Sequence, residues 1–149
     1  MLQADSQLVQ RFPTFQDYKL FIESLIIHSE LVPEEISNEY PKMIDILEVC
    51  YFKSSLFEMA QLQAIMLFEK AVRMRLYHEY KTITKIKFSV LLDKVQQLSL
   101  LDKDVVSHFR TLKDLRNKTV HHGSEIVEID LALENIGLLL KSIVEIYKN

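Results

Sequence analysis

The chain has one cysteine, two glycines, three prolines and no tryptophan in 149 residues. A lone thiol, Cys50, cannot staple a fold, so the stability must come from an apolar core, which a chain of this length can build. So few glycines and prolines leave too little turn chemistry for a many-stranded sheet, and the 48% hydrophobic fraction is too high for a disordered chain. Helices in a single domain spanning 1–149 are therefore expected, with 1–13 as a flexible N-terminus. Long uninterrupted apolar runs are missing as well. The stretch from Ile136 to Ile146 is broken by Lys141 and Glu145, so no membrane span is expected. No charged segment followed by an apolar run and a small-residue cleavage site opens the sequence. With the cysteine count, this points to a reducing, cytoplasmic setting.

The net charge of −3 conceals an asymmetry. Between Lys70 and Lys118 there are twelve cations (Lys70, Arg73, Arg75, Lys81, Lys85, Lys87, Lys94, Lys103, Arg110, Lys113, Arg116, Lys118) against five acids, a local +7 that leaves −10 for the remainder. A phosphate polymer would be drawn to such a side, although solvated helix faces also carry charges of this kind.

Punctuation divides the chain into helical blocks. Thr14 and Asp17 form a capping pair for a helix to about Leu31, with Phe15, Tyr18, Ile22, Leu25 and Ile26 on one face and Pro33 as its stop. Pro41 suits a first helical turn. Apolar residues then recur at helical spacing to about Tyr80, as one long helix or as two broken near Ser54-Ser55. Beyond a basic connector, Ser89 is placed to cap a short helix through Leu98, and Asp102 to cap a helix whose apolar stripe is Val105, Phe109, Leu112 and Leu115. Gly123 would stop it. Asp130 then caps a last helix marked by Leu133, Ile136, Leu140, Ile143 and Ile146. The sum is an all-α, up-down bundle of four to five helices.

Two charges interrupt the apolar stripes. Glu69 stands where the run Leu62, Ile65, Val72, Leu76 calls for a leucine, with Arg73 one turn later. Arg116 follows Leu112 on its stripe. A charge in such a place is costly unless paired, so Glu69 and Arg116 could serve one another, as a structural salt bridge or as part of a site. His121 lies five residues beyond Arg116, about 140° around an ideal helix, and Asn117 sits one turn before His121. The five histidines include no H-x3-H or H-E-x-x-H pair, so no metal site is expected. Cys50, on an apolar stripe, reads as a core residue.

The run Asp114-Leu115-Arg116-Asn117-Lys118-Thr119-Val120-His121-His122-Gly123 resembles the R-N-x-x-x-H signature of the HEPN superfamily, and Glu69-Lys70-Ala71-Val72-Arg73 resembles its accessory E-x3-K/R element on an earlier helix. The resemblance covers roughly residues 42–147. It implies a helical bundle that pairs into a homodimer, whose two motifs meet in a cleft that cuts RNA without metal or other cofactor. Members serve as toxins or in phage defence, restrained in some cases by an antitoxin or other regulatory protein, and others are non-catalytic modules that dimerise or bind protein, nucleotide or nucleic acid. A subgroup carries a Tyr two residues after the motif His. Gly123 stands there in this chain, against that subgroup's regulation.

The residue types suit that chemistry. The 2′-hydroxyl of RNA is an intramolecular nucleophile, so a protein need only accept its proton and stabilise charge on phosphorus. Histidine, with a reference pKa of about 6.5, serves as base or acid, and the planar arginine fork clamps phosphate oxygens. The expected catalytic residues are Arg116, His121 and Asn117, with Glu69 and Arg73 supporting and Lys113 and Lys118 contacting flanking RNA phosphates.

Overall fold

A computed structural model describes residues 3–77, 85–122 and 128–149, with the backbone alone over 115–122. Every regular element among the described residues is a helix. Helix α1 spans Ser6–Arg11, α2 Phe15–Ser24, α3 Glu34–Ser37 and α4 Tyr40–Cys50. A single 3₁₀ turn at Ser54–Leu56 leads into α5, Phe57–Tyr77, followed by α6, Phe88–Gln97, α7, Lys103–His122, and α8, Ile129–Lys148.

The stretch anticipated as a flexible N-terminus holds α1. Asp5 caps that helix, its carboxylate accepting from Gln7 N at 2.9 Å and from Ser54 Oγ at 2.7 Å. The Ser54 bond is the main reason that this carboxyl lies below its ordinary pKa. Asp5 N donates to Tyr51 O, Tyr51 Oη donates to Phe12 O, and Leu8 is fully buried. Six residues carry too few repeats for periodicity to reveal such a helix.

Thr14 caps α2 as anticipated, accepting from Asp17 N at 3.1 Å. The helix stops at Ser24, well before Leu31, in tightened i→i−3 bonds from Leu25 N and Ile26 N. Ser29 Oγ then accepts from Leu31 N, a local side-chain bond that competes with helix. Pro33 therefore opens α3 instead of closing α2. Pro41 falls in the first turn of α4. The apolar run that follows is two helices, parted over 51–56.

The caps of α6 and α8 fall on Lys87 and Glu128, with Ser89 and Asp130 inside the first turns. In α7, Val106 N donates to Asp102 O, so the helix starts beside Asp102. Between α6 and α7, Ser99 adopts φ 54°, with Ser99 N donating to Gln96 O and Leu100 N to Val95 O. That paired pattern is the Schellman close of a helix, here with serine in the left-handed position that favours glycine.

The central pair is α5 and α8, and they run in the same direction. Asn135 meets Gln61 near their starts, whereas Tyr147 Oη donates to Ala71 O and Arg75 Nε donates to Ile146 O near their ends. Twelve residues on one helix match about as many on the other, which fixes the parallel sense. α7 returns antiparallel to α8: Asn149 Nδ2 donates to Leu100 O just before α7, and His108 reaches Asn135 near the start of α8. The core between them is built from Phe57, Phe68, Leu92, Phe109, Ile136 and Ile143, all essentially inaccessible. Phe68 packs against Phe109 at a centroid separation of 4.7 Å and edge-on to Phe88 at 6.1 Å, which joins α5, α6 and α7.

Candidate functional site

The motif segment lies on the last two turns of α7, which continues through His122. Arg116 and His121 therefore share one helix, with backbone positions about 7.5 Å apart along its axis. The side chains of Arg116, Asn117, Lys118 and His121 lie outside those described, as do the whole of His78, Glu79, Lys81 and Gly123. Pairing of Glu69 with Arg116 falls there too.

What is described is the setting of α7. The buried line of α5 is Ile65, Phe68, Val72 and Leu76, so Phe68 takes the core position and Glu69 stands half-buried beside it. Leu62 also sits at the margin of that line. Arg73 donates through Nη2 to Glu69 Oε1 at 2.8 Å and through Nη1 to Ile86 O at 2.7 Å. One guanidinium thus joins a carboxylate of its own helix to the residue that leads into α6. The E-x3-R spacing is an i,i+4 pair on α5, as its spacing requires.

Arg110 makes the matching connection from α7, donating to Ser89 O at 3.2 Å and to the Asp93 carboxylate. The short helix α6 is consequently tied at its start to α5 by Arg73 and along its length to α7 by Arg110. Lys113 is half-buried one turn beyond Arg110 and one turn before Asn117. Lys70, Lys85, Lys87 and Lys103 are exposed, whereas Arg73, Arg75 and Arg110 are engaged with protein groups. The cationic segment is thus part scaffold and part solvated face.

A polar bridge that periodicity passes over holds α7 to the central pair. Asn135 is 3% exposed within the apolar stripe of α8. Its Nδ2 donates to Gln61 Oε1 on α5 at 3.3 Å, and its Oδ1 lies 2.8 Å from His108 Nε2 on α7. An amide oxygen can only accept, so His108 carries its proton on Nε2. The signal available in the sequence was two polar residues, Glu134 and Asn135, between Leu133 and Ile136, of which Asn135 is the buried one, and His108 had no marked spacing to draw notice. Cys50 is buried in the core, where burial pushes its thiol up to about 12. A thiol held protonated in this way is a packing group, not a nucleophile.

No protein-family model, curated protein or solved structure matches the chain.

Proposed function

We propose that the chain is a HEPN-type domain acting as a metal-independent endoribonuclease, with Arg116 and His121 meeting their counterparts across a homodimer cleft. The observation that carries the reading is the order of elements around the motif. A helix bearing the paired Glu69 and Arg73 is followed by a short helix and then by one continuous helix carrying R-N-x-x-x-H at its end. That order agrees with the resemblance in the sequence.

In the proposed reaction His121 accepts the proton of an RNA 2′-hydroxyl as its oxygen bonds to the adjacent phosphorus. The bond from phosphorus to the 5′-oxygen breaks, that oxygen takes up a proton, and the products are a 2′,3′-cyclic phosphate and a 5′-hydroxyl. Arg116 stabilises charge on the phosphoryl oxygens, and Asn117 positions one of the two. Glu69 and Arg73 act through the placement of the helices, while Lys113 and Lys118 hold flanking phosphates. A toxin or phage-defence role restrained by a protein partner would suit such an activity.

A second reading is a non-catalytic HEPN-like module that dimerises or binds nucleic acid, nucleotide or protein. The engagement of Arg73, Arg75 and Arg110 in holding helices together favours it, because those cations then owe nothing to RNA. Purified protein incubated with RNA in EDTA separates the two. The nuclease reading expects cyclic-phosphate ends that vanish in His121→Ala and Arg116→Ala. Cleavage unchanged in both variants, or RNA bound without cutting, refutes it. Sedimentation of the active species as a monomer would refute the composite cleft.

A further inference from the structure

Two polar side chains are buried in the core among the described residues, Asn135 at 3% and Ser142 at 2% exposure, both on α8. Asn135 is engaged by Gln61 and His108. Ser142 is not engaged at all. Its hydroxyl meets no hydrogen-bond partner among the described residues, not even the carbonyl one turn earlier that Ser24 and Ser37 use in their own helices. Buried hydroxyls are bonded as a rule, and one left over points to a group from outside the chain.

Ser142 lines a cleft of about 310 Å³ between the second half of α8 and the chain entering α7, a volume at the lower end of small-molecule sites. Leu100 and Ser142 form its buried floor, Leu101, Val105 and Leu138 are half-buried apolar walls, and Asp102 and Lys141 stand exposed at its mouth. Local structure explains the space. The left-handed turn at Ser99 sends Leu100 inward, where Asn149 Nδ2 holds its carbonyl at 3.3 Å, and a serine at 142 leaves open what a leucine would fill.

The charges at the mouth are opposite and do not pair. Neither the Asp102 carboxylate nor the Lys141 ammonium has an ion-pair partner among the described residues, each other included, whereas Glu145 beside them is held by Lys148 at 3.4 Å. A phosphate or a nucleic acid would need a positive excess that this cleft lacks. A simple cation would leave Lys141 unmatched, and a simple anion Asp102. The complement of one cation, one carboxylate, a spare hydroxyl and aliphatic walls is a zwitterion with an aliphatic side chain.

We propose that this cleft binds a free aliphatic α-amino acid of the size of leucine. Its carboxylate takes the Lys141 ammonium and the Ser142 hydroxyl, its ammonium takes Asp102, and its side chain lies against Leu101, Val105 and Leu138. The site is at the start of α7, about 16 Å along that helix from Arg116, and does not depend on the ribonuclease reading.

The test titrates the full chain, labelled for amide NMR, with L-leucine, 3-methylbutylamine and 4-methylpentanoate at matched ionic strength. The amine lacks the carboxylate and the acid lacks the ammonium. L-Leucine should shift amides of residues 99–105 and 138–149 saturably. It should bind about tenfold tighter than either analogue, the loss expected for one charge-assisted hydrogen bond. Lys141→Gln and Asp102→Asn should each weaken it about tenfold, and Ser142→Ala about threefold. Lys141 and Asp102 are exposed, so their variants should keep the parent's thermal midpoint and report on binding alone. No saturable shift at about 10 mM leucine, equal affinity for the amine or the acid, shifts centred elsewhere, or parent affinity in both charge variants would each overturn the proposal.

Discussion

Replacing Asn135 by leucine tests whether the polar bridge, and not apolar contact alone, holds α7 against α5 and α8. By burial preference the change looks harmless, since Asn135 is 3% exposed among Ala132, Leu133, Ile136 and Leu139. The geometry says otherwise. The variant removes the acceptor of His108 Nε2 and the donor to Gln61 Oε1, bonds of 2.8 and 3.3 Å. It also asks a branched side chain to fit the space of a flat amide. Each hydrogen bond is worth about 1 kcal/mol net, and a partner left unpaired costs about 1–3 kcal/mol, discounted here because His108 and Gln61 reach partial solvent. The leucine recovers about 1–2 kcal/mol of apolar burial. The balance is a loss of about 1–2 kcal/mol, read as a lower urea midpoint at unchanged slope. A double-mutant cycle between Asn135→Ala and His108→Ala isolates the bond itself and should give a coupling near 1 kcal/mol. A coupling indistinguishable from zero, or an Asn135→Leu variant more stable than the parent, would refute the bridge as a determinant of helix placement.

Two further outcomes follow from local geometry. Ser99→Gly should stabilise the fold by about 1 kcal/mol, because the left-handed φ of 54° strains a residue with a Cβ and spares glycine. A thermal midpoint raised by a few degrees is the check, and an unchanged or lower one contradicts the Schellman reading. Cys50 gives a pH signature. Its folded pKa of about 12 lies above the ordinary thiol value, since burial disfavours the thiolate, so its contribution is fully present below about pH 9 and is lost as pH rises from there towards 12. Stability should therefore fall with alkali in that window by at most about 1.4 kcal/mol per pH unit from this group, and less steeply in Cys50→Ala. The half-buried Tyr147, also held up to about 12 mainly by desolvation, adds to the decline in both proteins. Equal slopes would show that the thiol is not what titrates.

Composition and 3.6-residue spacing were enough to determine that the chain is helical, that Thr14 caps α2, that Pro41 begins a helix and that Leu133, Ile136, Leu140, Ile143 and Ile146 face the core, because these are properties of a few neighbouring residues. The sequence also marked Arg116 to His121 and set Arg73 one turn beyond Glu69, but the partner it offered Glu69 was Arg116, whereas the described ion pair is with Arg73, at an i,i+4 spacing that any helix would realise. It placed Glu69 one position too far into the core, since periodicity gives the width of an apolar stripe but not its edge. The edge was decided by Phe68, whose ring is claimed by Phe88 and Phe109 from two other helices.

The fate of the cations was likewise tertiary. Arg73 and Arg110 look in sequence like members of one basic run. They end on Ile86 O and Ser89 O because α6 packs beside both α5 and α7 and brings backbone carbonyls within reach. The parallel sense of α5 and α8 is a third such decision. It depends on α6 and α7 carrying the chain back between them, a long-range closure that no local pattern encodes. Local spacing could therefore name the helices and nominate the site. Only contacts between different helices, 13 positions apart for Arg73 and Ile86 and 21 for Arg110 and Ser89, could decide which charges hold the scaffold and which stay in solvent.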